Sequence, residues 1–422
     1  MPLPGEDGGN RPQAAGPSKP GSPGGKRNRL LFTASFFFSL ASNILSFSLV
    51  YLLTDRFNFS PGQVGTYLAA GSLCYFLCCN LYHRFAIRPT LLIPSAAALS
   101  LLSSVVLGQA AFPWLAALAY ALIQGSAGFF WPPIMAWFTQ GLDETALNRD
   151  ISVFNRSWMS GNLLGPLVSG ALYHRSSNLC FLALNLSYAL VLVMLAIQVR
   201  RELRTEARPA AEYGPSPDPR KAAPIRAPEI PLAAVREKAM DWFRYRGWIG
   251  GFCTNCFVGV LINMAPLHIR DGLGYTERIA GMALFTRCVS GLIGFTILAK
   301  AAFWHFNRRW FLLTQAALAL CAFAFVPAGN RVPLYFGIIF IYGFVHACCY
   351  NNSIFHSSAT GKSPRKNLAL HEIFLSIGSA AGAAGGGFCY QRFGFAGTFA
   401  ALGIVMTLGM AFFVLLEYRR PG

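Results

Sequence analysis

Residues 199–246 read VRRELRTEARPAAEYGPSPDPRKAAPIRAPEIPLAAVREKAMDWFRYR. Eleven of these 48 side chains are Lys or Arg, and seven prolines fall between Pro209 and Pro231. A segment this charged and this rich in proline cannot bury an apolar core, so it reads as a solvated linker with one short helix over 233–245. On either side the chain runs into uncharged stretches of membrane length. The cationic excess sets the linker on the cytoplasmic face of a bilayer.

The whole chain of 422 residues agrees with that reading. Hydrophobic residues are 54% of it and charged residues 12%, where a soluble domain carries roughly 25% charged. Between the charge clusters, runs of roughly 18 to 25 uncharged residues are long enough to cross a bilayer core as helices. The formal net charge of +18 would suit nucleic acid if it covered one surface, but its distribution excludes that partner. Assigning sides alternately from a cytoplasmic N-terminus puts 27 of the 35 Lys and Arg in cytoplasmic segments. Six fall outside (Arg56, Arg175, Arg270, Arg278, Arg331, Arg392) and two within spans (Arg156, Arg287). That asymmetry encodes orientation, and the partner it implies is the lipid bilayer, with anionic lipid in reach of the linker.

No metal or cofactor is expected. The eleven cysteines are scattered through the spans, and Cys253 with Cys256 has CxxC spacing but no second ligand pair. The seven histidines form no metal-ligand pattern, and no Gly-x4-Gly-Lys-Ser/Thr segment offers a nucleotide site. An integral-membrane enzyme or an ATP-driven pump is therefore disfavoured.

Residues 1–28 are rich in Gly, Pro and Ser and lack an apolar h-region, which reads as a disordered basic tail rather than a signal peptide. Spans are expected at 30–53, 62–82, 90–110, 113–138, 151–173 and 178–198, then at 247–267, 277–301, 310–328, 332–355, 367–390 and 394–416. The domains are an N-terminal six-helix bundle (29–198), the linker (199–246), a C-terminal six-helix bundle (247–416) and a cytoplasmic tail (417–422). The expected fold is an all-α polytopic membrane protein of 12 transmembrane helices in two six-helix bundles. Both termini are cytoplasmic, a plasma membrane is the default location, and a monomer is expected.

Three internal matches relate the two bundles as parallel repeats. Residues 53–65 (LTDRFNFSPGQVG) align with 269–281 (IRDGLGYTERIAG), pairing Asp55 with Asp271, Phe59 with Tyr275 and Gly65 with Gly281. Gly161, Gly165, Gly170 and Tyr173 align with Gly378, Gly382, Gly387 and Tyr390 at a constant offset of 217. Residues 85–92 (FAIRPTLL) align with 306–313 (FNRRWFLL). The matches come in the same order in each half, so the chain is a duplicated unit.

With these residues in view, the sequence resembles the major facilitator superfamily of secondary transporters over all its spans. Residues 79–88 (CNLYHRFAIR) are similar to the family's signature G-x-L-a-D-r-x-G-r-r. Leu81, Arg84 and Arg88 keep the pattern, while Cys79 and Ala86 stand at its glycines and His83 at its aspartate. Gln124, Gly125 and Pro132 resemble the fourth-helix motif, with Ala121 at the family's arginine. Gly161, Gly165, Pro166 and Gly170 resemble the glycine-proline segment frequent in antiporters. The resemblance implies alternating access by rocking of two bundles about a midplane site. It implies transport of a small organic solute, with proton-linked efflux ahead of uptake or uniport of a sugar or carboxylate. A non-transporting receptor or scaffold with this fold is the alternative of another class.

Ionisable groups within spans are costly and mark candidate sites. Arg287 either faces the central cavity, taking an anionic substrate group or a coupling acid, or bonds to a neighbouring helix. Glu372 is the acid furthest inside a span. By the resemblance it lies near His83 and Arg84, as a latch between halves, as a proton site, or as an acid favoured by the helix dipole. Arg88 belongs to the same loop, and Arg156, one turn inside its span, snorkels to the interface or serves coupling. The resemblance lines the cavity with the first, fourth, seventh and tenth helices. Their candidate solute contacts are Asn43, Gln124, Trp131, Asn255, Asn263, Tyr342, His346, Tyr350 and Asn351, with interhelical packing as the alternative for each. An amide beside an aromatic ring suits a moderately polar solute. Gly161, Gly165, Gly378 and Gly382 let helices approach closely, and Pro166 marks a kink.

Overall fold

A computed structural model describes residues 28–82, 87–139, 144–206, 233–301, 303–359 and 364–418. Every regular element among them is helical. In the first half these are α1 (Arg29–Phe57), α2 (Pro61–Tyr82), α3 (Pro89–Gln109), α4 (Pro113–Gly128), α5 (Trp131–Thr139), α6 (Glu144–Tyr173) and α7 (Ser177–Glu206). In the second they are α8 (Ala233–Leu267), a π turn (His268–Gly272), α9 (Glu277–Ala299), α10 (Arg308–Ala324), α11 (Val332–Ala359) and α12 (Pro364–Tyr418).

Local chemistry explains most boundaries. Pro61, Pro89 and Pro113 open α2, α3 and α4, where the missing N–H has no intrahelical partner to lose. Asn58 closes α1 in the left-handed region (φ 53°), and its N–H reaches the Thr54 carbonyl at 3.1 Å. The Asn307 side chain caps α10 by accepting from the Trp310 N–H at 3.1 Å. The fourth expected span is broken at Phe129 and Phe130 into α4 and α5.

One expectation changes. The short linker helix over 233–245 is not separate: it continues into the next span as α8, because no proline interrupts the chain between Pro231 and Pro266. The spans expected at 367–390 and 394–416 form two helices that meet across a kink at Gly394 (φ 67°, ψ −172°) and are labelled together as α12. Only glycine enters that region without strain.

Ten helices among the described residues are long and apolar enough to cross a membrane, fewer than the twelve expected. Leu370–Phe412, 43 residues, counts once among them. The difference also reflects α6, whose Ser, Asn, Gly and charged residues leave it less apolar than its neighbours. The outer surface is apolar in a way water would not tolerate: Leu102, Leu320 and Leu408 are 66%, 68% and 63% exposed. Lipid is the solvent that accepts them.

Each half has its own aromatic core, with Phe38 stacked on Phe130 at 3.7 Å in the first and Phe257 on Tyr342 at 3.9 Å in the second. Within the first half α1 packs on α6 and α7, and α4 on α2 and α3. Within the second, α12 packs on α8 and α10, and α11 on α8 and α9. The halves meet where α2 crosses α12, where α6 crosses α9, and where α1 touches α8.

Candidate functional site

The two main crossings between halves are built on glycine. A methyl group at Gly170 of α6 would strike the Glu277 carbonyl and the Cα of Gly281 on α9. One at Gly387 of α12 would strike the Pro61 carbonyl and the Cα of Gly65 on α2. Without side chains the backbones touch. Gly65 and Gly281 are repeat-related, as are Gly170 and Gly387, so the two crossings are equivalent by the internal symmetry.

Both crossings lie at one end of the bundle, which polar contacts also close. The Arg270 guanidinium pairs with Asp55 at 2.9 Å, donates to the Thr54 hydroxyl at 3.2 Å, and sits 4.4 Å above the Tyr51 ring. Arg270 also pairs with Asp271 at 2.6 Å and approaches Glu277 at 3.8 Å. The Tyr51 hydroxyl donates to the Pro266 carbonyl at 3.1 Å, Tyr173 donates to Asp55 at 3.3 Å, and His174 meets Glu277 at 3.1 Å. Gln391 accepts from the Gly62 N–H at 3.2 Å. Arg270 is thus the knot between the halves at this end.

Replacing Arg270 with Gln should therefore weaken the seal. Its partner Asp55 has a side chain 44% exposed, so the pair contributes about 1 kcal/mol, roughly fivefold in the open-to-closed ratio. A cysteine placed at Ser46 and labelled from the Asp55 face by a membrane-impermeant maleimide should react about fivefold faster in the variant. An unchanged rate would remove Arg270 from the seal.

Beneath the seal a cavity of about 250 Å³ opens between the halves. From the first half come Asn43, Ser46 and Phe47 on α1, and Trp158, Asn162 and Pro166 on α6. From the second come Asn255, Val258 and Ile262 on α8, Leu284 and Arg287 on α9, and His346 and Tyr350 on α11. Each set recurs at three- or four-residue spacing, which presents one face of each helix to the cavity. Asn162 accepts from Ser39 at 2.5 Å and from Asn43 at 2.6 Å. His346 pairs through Nδ1 with the Thr254 hydroxyl at 3.0 Å. Gly343 of α11 lies against the backbone of Arg287, where a side chain would strike its carbonyl, and this fixes α9 against α11. Arg287 has no carboxylate partner among the described residues; it donates to Cys288 Sγ at 3.5 Å, and its Nε is buried without a partner.

Five of the ten predicted solute-contact residues line this cavity: Asn43, Asn255, Arg287, His346 and Tyr350. The other five do not. Gln124 donates to the Tyr120 hydroxyl at 2.8 Å, and Trp131 packs edge-on against Phe38, Phe130 and Phe154. Asn263 is buried and bonds to the Gly259 carbonyl at 2.7 Å. Tyr342 is buried and donates to the Thr254 carbonyl at 2.9 Å, while half-buried Asn351 stays off the lining. The fourth helix expected in the lining is absent from it, and α6 and α9 take part instead. The missed residues Trp158, Asn162 and Pro166 had a readable signal, since all three recur every four residues on one face of α6.

The predicted gating residues scatter. His83 and Arg84 lie outside the described residues, so their pairing with Glu372 is not described either. Arg88 is exposed at the start of α3, and Arg156 is exposed on α6. Glu372 on α12 interacts electrostatically with Tyr75 and Cys79 of α2 and with Tyr350 of α11. Tyr75 and Cys79 belong to the first half and Tyr350 to the second, so Glu372 lies near the seam between halves.

Comparison with known proteins agrees with this architecture. The chain resembles, with a TM-score of 0.66 and 13% identity, the crystal structure of a bacterial homolog of the human lysosomal transporter Spinster in an inward-facing, unoccupied conformation. That match covers 94% of this chain and 97% of the other. Tetrameric PepTSo2 is similar at a TM-score of 0.66 and 9% identity, over 93% of this chain and 98% of that one. No curated protein matches by sequence. The sequence profile of the Major Facilitator Superfamily matches residues 31–370, most of both halves. The chain is an integral multi-pass membrane protein and a transporter rather than an enzyme, a member of the major facilitator superfamily.

Proposed function

We propose that this chain is a secondary active transporter that carries a small organic solute through the cavity between its halves by alternate closure of the two ends. The observation that carries the reading is a cavity lined from both halves beneath a seal whose central contacts, Arg270 to Asp55 and Tyr51 to the Pro266 carbonyl, join the two halves. Twelve crossings follow if α6 spans despite its polarity and α12 crosses twice. The 43-residue apolar stretch of α12, Leu370–Phe412, would extend ~65 Å as a straight helix, about twice the ~30 Å of a bilayer core, and Gly394 supplies the break. The basic linker then lies in the cytoplasm with both termini, the Asp55 end faces outward, and a monomer in the plasma membrane suffices.

Proton-linked efflux is the mode favoured by the resemblance of Gly161 to Gly170 to antiporter segments, with Glu372 as the proton group. A uniporter is the second reading, favoured by a cavity lining without a carboxylate. Reconstitution separates them. Proteoliposomes holding the parent protein should drive saturable solute flux that responds to an imposed pH gradient, and Glu372→Gln should abolish that response while leaving solute exchange. Flux indifferent to the gradient in both proteins assigns uniport. Flux no greater than in empty liposomes, over a broad panel of organic solutes, rejects transport.

A further inference from the structure

The geometry points to an amphiphilic organic anion as the solute, its negative head held by Arg287 and Asn162 and its apolar part directed toward the Asp55 end. This rests on the cavity being the transport site. Arg287 is the one ionised side chain among the lining residues, and no carboxylate offsets it there. A guanidinium withdrawn from water without a counter-charge is unfavourable, and the partner it fits is a carboxylate or phosphonate group able to take two parallel N–H bonds. Its buried Nε is left without a partner.

The amide network points the same way. Asn162 uses its carbonyl oxygen to accept from Ser39 and Asn43, which leaves its amino group to donate into the cavity. Asn43 spends its amino group on Asn162 and on the Ser39 carbonyl at 3.0 Å. Two of the polar groups that converge here are therefore donors, and one of them is charged.

The register along the helices sets the orientation. On three of the lining helices an apolar residue lies one turn nearer the Asp55 end than a polar one. Phe47 stands above Asn43, Pro166 above Asn162, and Leu284 above Arg287. Ile262 extends the same apolar layer on α8. A hydrophilic dianion would leave that layer unused, and a cation would meet Arg287 with repulsion.

Charge-matched probes test this. With the full-length protein in detergent, 4-phenylbutyrate and 4-phenylbutylphosphonate should raise the melting temperature, whereas 4-phenylbutyramide and 4-phenylbutylamine should not. Arg287→Gln should weaken the 4-phenylbutyrate response at least about tenfold in half-saturating concentration, and Arg287→Lys should retain part of it. The comparison of probes on the parent protein stands even if Arg287→Gln fails to fold. Equal stabilisation by the amide or amine, an undiminished response in Arg287→Gln, or no response to either anion overturns the inference. Radiolabelled flux in proteoliposomes separates the two levels. Binding of the anion without flux rejects transport and leaves the anion site, while amide flux equal in parent and Arg287→Gln keeps transport and rejects the anion.

Discussion

Gly387→Leu should yield a folded protein whose Asp55 end no longer closes, with solute flux reduced by an order of magnitude or more. The leucine would enter the crossing of α12 with α2, where Gly387 meets the Pro61 carbonyl and the Cα of Gly65. Overpacking of that kind costs roughly 1–3 kcal/mol. Here the cost falls on one conformation, because the two helices belong to different halves and part in the proposed cycle when the seal opens. A penalty of that size on the closed state alone shifts the open-to-closed ratio by about 5- to 150-fold. Labelling of a cysteine at Ser46 from the Asp55 face should rise by that factor, with the melting temperature nearly unchanged. Gly170→Leu, at the symmetry-related crossing with Gly281, should do the same. If either variant labels and transports like the parent, closure does not depend on these crossings.

The same glycines measure how much of the molecule was legible beforehand. Their alignment at an offset of 217 disclosed the duplication, and with it the two bundles. It did not disclose that Gly387 touches Gly65 and that Gly170 touches Gly281. A repeat says which residues are equivalent, not which are in contact, and these pairs cross between halves. The site was legible to the same degree. Polar residues isolated in apolar helices, such as Asn43, Asn255, Arg287 and His346, stood out because burying them is costly, and they do line one cavity. Of the two aromatic candidates Trp131 and Tyr350, Tyr350 lines the cavity and Trp131 packs within the first half. The backbone explains it: α11 runs unbroken through Tyr350, whereas the chain turns at Phe129 and Phe130 and starts a new helix at Trp131. Apolar members of the lining, Phe47, Ile262 and Leu284, were not legible, because nothing in a single sequence separates a wall of a cavity from a core.

Gly382→Leu, five residues before the seam glycine, should fail for a different reason. Gly378, Gly382 and Gly386 recur every four residues along α12 and face Phe252, Cys256 and Val260, which recur every four along α8. A side chain at Gly378 would strike the Phe252 carbonyl, and one at Gly382 the Cys256 carbonyl. On the other helix, Gly259 lies against the Ser379 carbonyl. The two backbones are thus in contact over about two turns, and both helices belong to the same half, so no motion of the transport cycle relieves the clash. Leucine must push them apart and forfeit the neighbouring contacts too, a loss at or above the upper end of the ~1–3 kcal/mol typical of overpacking. The expected outcome is an aggregated protein, or one that melts many degrees below the parent, in size-exclusion and thermal-unfolding measurements. Gly385→Leu is the matched control, three residues away, where a Cβ meets nothing within 4 Å. There the only effect is the helix preference of leucine over glycine, a gain of roughly 0.5–1 kcal/mol. The two variants share composition, helix and depth, and differ only in the face substituted. Equal stability for Gly382→Leu and Gly385→Leu would mean that α8 and α12 do not pack backbone to backbone, and the second half would then need a different assembly.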